Sequence, residues 1–304
     1  MALAAEEPGR ATAPAAALPL DTTVGHLLRR AQQVHTWLWG QELNGDLTGP
    51  QYALLSALTE QDVVDQRSAG RLASLDKSTA ADVVARLQRN GWLGRDRDPS
   101  DGRRNLLSLT APARAALQQI TPRVAGIQRQ LLEPLAPADR EWFTQTLALV
   151  AYEGKPPTAP LEPGGSRALP LPTTPGHLIR RSEQLHGAYW ARRVGSTLTP
   201  SQYGMLSALA WNEPIDQGTA GDLASLDKSS TADIIARLTR RGLVASTPDE
   251  RDRRRKLLVL TPEARAVLDE VTPAVAVVQQ DLTAPLKEQE ARRLVELLHV
   301  VAYR

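Results

Sequence analysis

Apolar positions along this chain fall at helical spacing in one stretch after another. From Gly25 to Glu42 they recur as Leu28, Ala31, Val34 and Leu38, with His35 and Trp39 beside the last two, and from Thr48 to Leu58 a cap-like Thr leads into Tyr52, Leu55 and Leu58. Both stretches are predicted as amphipathic helices with one core-facing stripe. Ser68 to Leu75 and Lys77 to Asn90 read as two short helices joined by a tight turn, with Asp76 as N-cap and Gly91 as the C-terminal stop. That is helix-turn-helix spacing. Trp92-Leu93, an Arg/Asp/Gly-rich stretch to Arg104, and Leu106 to Thr110 have the pattern of a β-hairpin whose strands flank a charged tip. A hairpin placed after a helix-turn-helix is a wing. Pro112 to Glu133 and Pro137 to Tyr152 are predicted as two more helices, broken at Pro134, the first kinked at Pro122.

The whole pattern then occurs again. Ser74-Leu75-Asp76-Lys77-Ser78 returns as Ser225-Leu226-Asp227-Lys228-Ser229, and an offset of 151 residues holds without a gap from Thr22/Thr173 to Tyr152/Tyr303. Roughly 60 of about 130 aligned pairs are identical, and a period this long marks duplicated domains rather than a solenoid. Domains are expected at 21–153 and 173–304, each long enough for its own core. Between them, 154–172 carries Pro156, Pro157, Pro160, Pro163, Pro170 and Pro172 with Gly154, Gly164 and Gly165, a composition that builds neither helix nor central strand and reads as a tether. Residues 1–20 are expected to be a disordered tail, since Glu6, Glu7, Pro8 and Pro14 interrupt the apolar core that a signal peptide needs. The expected fold class is mainly α with small β wings, as two tandem winged helix-turn-helix domains.

Composition narrows the chemistry. The chain has no Cys, which excludes disulfides, Cys-zinc sites and thiol redox sensing. No apolar run approaches the roughly 18 residues of a membrane span, so a cytoplasmic location and no membrane partner are expected. A net charge of +2 argues for no partner by itself, but Arg237 to Lys256 holds eight Arg/Lys against three Asp/Glu, and Arg86 to Asn105 holds six Arg against three Asp. Both basic stretches sit at the same place in the repeat.

Thr48-x-x-Gln51, Leu72-Ala73-x-Leu75-Asp76-Lys77-Ser78-Thr79, Arg86-Leu87, Gly91-Trp92-Leu93 and Asp98-Pro99-x-Asp101-x-Arg103 leading to Leu109-Thr110 resemble the MarR family of winged helix-turn-helix transcription regulators. Thr199-x-x-Gln202, Leu223 to Ser230, Arg237-Leu238, Gly242-Leu243-Val244 and Asp249-x-x-Asp252-Arg253-Arg254 leading to Leu260-Thr261 repeat the resemblance, which covers each copy nearly end to end. It implies homodimers with interlocked first and last helices and two recognition helices on a palindrome. With two such domains in one chain, it implies an intramolecular pseudo-dimer, favoured over a homodimer in which two chains pair copy with copy.

A recognition helix enters the major groove by its N-terminal turn, which suits short hydroxyls and a cation there and longer polar groups behind. Lys77, Ser78, Thr79, Asp82 and Arg86, with Lys228, Ser229, Ser230, Asp233 and Arg237, meet that requirement for double-stranded DNA. The alternative is local: Ser78 and Thr79 help cap the helix, and Asp82 pairs with Arg86. In the wings, the resemblance implies minor-groove or phosphate contacts by Arg103 and Arg104 and by Arg253, Arg254 and Arg255. Gly102 stands where the second copy has Arg253, so an imperfect palindrome is expected, bound more strongly under the second copy.

The first helix carries Gly25-His26-Leu27-x-Arg29, with His35 and Trp39, repeated as Gly176-His177-Leu178-x-Arg180, with His186 and Trp190. These residues resemble the branch of the family that responds to aromatic carboxylates such as protocatechuate. The resemblance implies that Arg29 and Arg180 clamp the carboxylate and that His35 and His186 line the pocket, with Trp39 and Trp190 available to meet a ring. The alternative is that these Arg and His residues join helices across the pseudo-dimer. Arg29 and His35 lie about 120° apart on a helix, so they meet one ligand only if the pocket wraps around it. His26 and His35 face opposite ways with no partners at metal-ligand spacing, so neither a metal nor a cofactor is expected. No Cys nucleophile, phosphate loop or Gly-x-Ser-x-Gly elbow points to an enzyme. The expected function is a sequence-specific DNA-binding regulator, a repressor released by a small aromatic acid; the competing function is a ligand- or protein-binding regulator in which one or both copies no longer read DNA.

Overall fold

The computed structural model of the 304-residue chain describes residues 17–59, 63–97, 99, 105–157, 168–249 and 256–304. In the first repeat the elements are α1 (Val24–Leu43), α2 (Gly49–Ala57), β1 (Val64–Asp65), α3 (Gln66–Leu72), α4 (Lys77–Arg89), β2 (Leu93–Arg97), β3 (Asn105–Leu109), α5 (Ala111–Leu131) and α6 (Pro137–Ala151). The second repeat has α7 (Pro175–Arg193), α8 (Pro200–Asn212), β4 (Ile215–Asp216), α9 (Gln217–Leu223), α10 (Lys228–Arg240), β5 (Val244–Pro248), β6 (Lys256–Leu260), α11 (Pro262–Thr283) and α12 (Glu288–Ala302).

Local chemistry explains most boundaries. Thr48 accepts a hydrogen bond from the Gln51 amide while the Gln51 side chain caps the Thr48 N–H, a reciprocal box that starts α2, and Thr199 with Gln202 repeats it for α8. Recognition helix α4 ends at Asn90 because Gly91 takes φ +71°, which lets Trp92 N–H reach back to the Leu87 carbonyl. Helix α3 starts earlier than the predicted Ser68, since the Asp65 carboxylate caps it by accepting from Ser68 N–H. Helix α5 continues through Pro122, the residue predicted to kink it.

Each wing is a three-stranded sheet rather than the expected two-stranded hairpin. β1 adds to the outer edge of β3 in the order β1-β3-β2, with Val64 opposite Leu107, and β4-β6-β5 repeats this with Ile215 opposite Leu258. Two residues were too short a run to read as a strand. In the β2–β3 register Leu93 faces Leu109 and Arg95 faces Leu107. The alternation buries Leu107 and Leu109 and leaves Arg95, Asp96 and Arg97 exposed.

The chain divides into two compact units: one takes the described part of Met1–His26 with His186–Asp281, the other Leu27–Leu185 with Leu282–Arg304. Each therefore holds one complete described helix-turn-helix. In the second-named unit α2, α3 and α4 pack on one another, with Leu54, Leu55, Leu58, Leu87 and Leu107 almost fully enclosed. Each such leucine contributes roughly 1.5–3 kcal/mol by leaving water.

That unit also contains pieces of the other repeat. Gly176 N–H of α7 donates to Gln128 Oε1 of α5 at 2.8 Å, Arg181 donates to the Ala151 carbonyl at 2.7 Å, and Arg30 donates to the Ala302 carbonyl at 2.9 Å. Both arginines also lie over a tyrosine ring, Arg181 on Tyr152 and Arg30 on Tyr303. Within the expected tail, Leu18 N–H donates to the Tyr203 hydroxyl, and its carbonyl accepts from Ser207. Within the expected tether, Leu169 makes the matching pair of bonds with Tyr52 and Ser56.

Candidate functional site

Helix α4 presents its apolar stripe, Ala80, Val83, Val84 and Leu87, to the core and leaves Lys77, Ser78, Asp82 and Arg86 exposed, with Thr79 half-buried. Asp76 binds both the amide and the hydroxyl of Ser78 and of Thr79. Four donors hold its carboxyl well below the usual carboxylate range, the Ser78 and Thr79 hydroxyls first among them. Asp227 does the same with Ser229 and Ser230 in α10. The capping role weighed for these hydroxyls is thus present: their protons are already given to the carboxylate, which leaves their oxygens as acceptors. In α10 Arg237 pairs with Asp233 at 2.9 Å, whereas the equivalent Arg86 and Asp82 form no such pair. Lys228, Ser229, Asp233 and Arg237 are exposed and Ser230 half-buried. Arg103, Arg104, Arg253, Arg254 and Arg255, and with them Gly102, lie outside the described residues.

The turn between α3 and α4 contains Ser74 in the left-handed region, at φ +51°, which costs a non-glycine residue energy and so needs neighbours to hold it. The neighbours come from α7. Arg180 donates to the Ser74 carbonyl at 2.7 Å and to the Ala73 carbonyl at 2.6 Å, and Arg181 donates to Ser74 Oγ at 2.9 Å. Arg180 also donates to His177 Nδ1 at 3.1 Å, which leaves the ring proton on Nε2, pointed at Ser74 Oγ 3.4 Å away. Ser225, at φ +52°, repeats the strained turn, and His26 faces its Oγ at 3.2 Å.

The same Arg180 and His177 border a cavity of about 310 Å³, enclosed with them by His35, Trp39, Tyr52 and Gln128 among others. That volume is at the lower end of small-molecule sites. Trp39 sits edge-on between His35 and Tyr52, at centroid distances of 5.6 and 5.9 Å, and is fixed by donating to the Leu47 carbonyl at 2.6 Å. Gln128 uses its oxygen on Gly176, so its amide nitrogen faces His35 Nε2 at 3.3 Å, and that ring nitrogen is the acceptor. Burial, helped by the Arg180 cation, pushes His35 down to about 4, so the ring is neutral at pH 7. His177 is held well below its ordinary value by burial first and by Arg180 and Arg181 next. Burial raises the Tyr52 phenol against the hydrogen bonds from Thr121 and Leu169.

Arg180 is the cation of this cavity. Burial, with Arg181 nearby, lowers it to about 10 against the opposing pull of Tyr152. It remains charged at pH 7, and among the described residues no carboxylate is a cause of its shift. Arg29 differs: it does not line this cavity, and burial lowers its pKa while the Glu183 carboxylate opposes the change. Glu183 is itself raised by burial against the pull of Arg29. The repeat places Gln32 where the second copy has Glu183.

The sequence grouped Arg29 with His35 on one helix; the cavity instead brings His35 and Trp39 of α1 together with Arg180 of α7. Two side chains 120° apart on one helix meet different neighbours, and only packing decides which. In the other unit His186, Trp190 and Tyr203 repeat the aromatic series at 5.7 Å for each step, and Gly25 N–H donates to Gln279 as Gly176 does to Gln128. Gln32, Gln128 and His177 escaped the sequence reading as site residues. The duplication of Gln128 as Gln279 within an otherwise apolar stripe was the available signal.

Profiles of the MarR family match residues 47–104 and 196–255. The transcriptional regulator HosA of Escherichia coli O111:H- is 34% identical over 120 residues, which cover 40% of this chain and 88% of HosA. The chain belongs to the MarR family. As a family member it is a winged helix-turn-helix transcription regulator, with the fold present twice. The HTH-type transcriptional repressor NicR of Pseudomonas putida is 30% identical over 137 residues, 42% of this chain and 87% of NicR. Among solved structures, the PcaV transcriptional regulator of Streptomyces coelicolor, crystallised with its natural ligand, is 38% identical over 45% of this chain and 96% of its own, with a TM-score of 0.43. Among the described residues no helix is long and apolar enough to cross a membrane, and no group of three or more His, Asp or Glu side chains is arranged to hold a metal ion.

Proposed function

We propose that this chain is a repressor that occupies a pseudo-palindromic operator as an intramolecular pseudo-dimer, with repeats at 21–153 and 173–304, and leaves it when an aromatic carboxylate binds. The observation that carries the reading is the double role of Arg180. This guanidinium borders the cavity and holds the Ala73 and Ser74 carbonyls of the helix-turn-helix turn. A carboxylate is the anion best matched to its planar fork, and a ligand that draws the guanidinium toward itself competes with the bonds that hold the turn. Ser74 then relaxes from its left-handed conformation and α4 changes its angle to the groove. A coupling of 1–3 kcal/mol, about 5- to 150-fold in DNA affinity, is the ordinary scale for such a switch. Trp39, His35 and Tyr52 supply the ring-facing walls. Lys77, Ser78, Thr79 and Arg86, with Lys228, Ser229, Ser230 and Arg237, are the groove- and phosphate-facing set, and NicR, a repressor by name, supports the sign of regulation.

Fluorescence anisotropy with DNA from upstream of the chain's own gene tests this. Salt-sensitive binding at one chain per site, relieved by a benzoate-type acid and no longer relieved in Arg180→Met, is the expected result. Binding that no aromatic acid relieves would remove the effector reading and leave Arg180 as a structural tie.

A further inference from the structure

Helices α4 and α10 turn the same groups outward. Along the exposed face of α4 stand Ser78, Ala81, Asp82, Ala85 and Arg89, and along that of α10 stand Ser229, Ala232, Asp233, Ala236 and Arg240, the same residue at every step. The differences lie elsewhere: a hydroxyl kept as Thr79 or Ser230, core-facing pairs such as Val83 and Ile234, and Gln88 against Thr239 near the C-terminal end. Bases are read by the groups a recognition helix carries into the groove, so matching stripes read matching bases.

The helices in front of them do not match. α3 carries Arg67 and Arg71, both exposed, where α9 has Gly218 and Asp222. Arg71 donates to Ser68 Oγ at 3.0 Å, and among the described residues neither arginine forms an ion pair. Arg67 gains nothing for its own helix: it stands in the first turn, where a cation opposes the helix dipole and where Asp65 already takes the Ser68 amide. Strand β2 continues the contrast, with Arg95 and Arg97 exposed on either side of Asp96 where β5 has Ser246 and Pro248.

We propose that α3 is a DNA-backbone anchor belonging to the first repeat alone: Arg67 and Arg71 bind phosphates beside their half-site, α9 has no cation to do so, and two half-sites of matching bases are held through different phosphates. This rests on the operator reading above and adds how the two heads divide the work. The first helix of a helix-turn-helix crosses the backbone while the second lies in the groove, and a guanidinium fits a phosphate as it fits a carboxylate. Asp222 at the same place repels the phosphates that Arg71 attracts. The contrast is separate from that of Gly102 and Arg253, which concerns the wing tips, outside the described residues.

The test begins with selection from a randomised duplex pool by the full chain, which should yield two matching inverted halves. Anisotropy on the selected duplex at several salt concentrations then gives the slope of log affinity against log salt. Arg67→Ala combined with Arg71→Ala should lower that slope by about two, and Arg67→Lys with Arg71→Lys, which keeps the charge, should preserve it. Asp222→Arg, which gives α9 the cation it lacks, should raise it by about one. Arg129→Ala controls for net charge, because Arg129 is exposed and lies about 27 Å along α5 from its start after β3; the slope should not change. Circular dichroism checks each fold. Selected halves of different sequence overturn the matched stripes. A slope unchanged in the double alanine variant or in Asp222→Arg, or one that falls as much per charge in Arg129→Ala, overturns the anchor and leaves the operator reading standing. A pool that yields no preferred sequence overturns both.

Discussion

Stability at mildly acid pH isolates the protonation state of His35. Its ring is enclosed, accepts from Gln128 on Nε2, and is held down to about 4 by burial and by Arg180. The folded value lies below the unfolded value of about 6.5, so the unfolded chain takes up a proton that the folded chain refuses. The contribution is complete above about pH 6.5 and is lost as pH falls toward about 4. Between about pH 7 and about pH 4.5 the linkage integral for these two values is roughly 2.5 kcal/mol. His177, Arg180 and Gln128 surround the ring, and the Arg180 cation opposes its protonation. The comparison is urea unfolding followed by tryptophan fluorescence, for the parent chain and for His35→Gln, which keeps an acceptor toward Gln128 but does not titrate. His26, His177, His186 and His299 stay in both proteins, so the difference reports His35 together with its coupling to His177. The parent should lose about 2.5 kcal/mol more than the variant across this range. Parallel loss in the two proteins would mean that His35 titrates as it does in the unfolded chain, and the buried neutral ring would be refuted.

Three further outcomes follow from the geometry. Asp76→Ala removes the cap that binds Ser78 and Thr79 and should lower the urea midpoint, with Asp227→Ala lowering it to the same extent and both weakening DNA binding in anisotropy. Gly176→Ala would set a Cβ on the His35 ring and should cost about 2 kcal/mol, whereas Gly187→Ala, which meets nothing, should be neutral or stabilising by up to about 1 kcal/mol. Lys77→Ala and Arg86→Ala should each lower the slope of log affinity against log salt by about one, read from anisotropy at several salt concentrations, without changing the effector response.

Much of this fold was legible because local rules and the apolar pattern agree. Asp76 ahead of a stripe of Ala80, Val83, Val84 and Leu87, with Gly91 behind it, defines α4 on capping and periodicity alone. The paired β1 and β4 escaped notice because two residues carry no periodicity; their partners on β3 and β6 make them strands. The start of α3 at Gln66, two residues before the predicted Ser68, follows from the Asp65 carboxylate taking the cap.

The candidate site divides along the same line. The chain's own order of residues determined which helices exist, that they exist twice, and which chemistries are on hand: arginines, two histidines and tryptophan on each first helix, and a cation with hydroxyls at the head of each recognition helix. Tertiary structure alone decided that Arg180 stands with His35 in one cavity and on the Ser74 turn. Helical periodicity sorts side chains onto faces, but it carries no information about which distant segment covers a face. That is settled by packing among elements remote in sequence, where an arginine finds its carbonyls or its carboxylate and acquires its role.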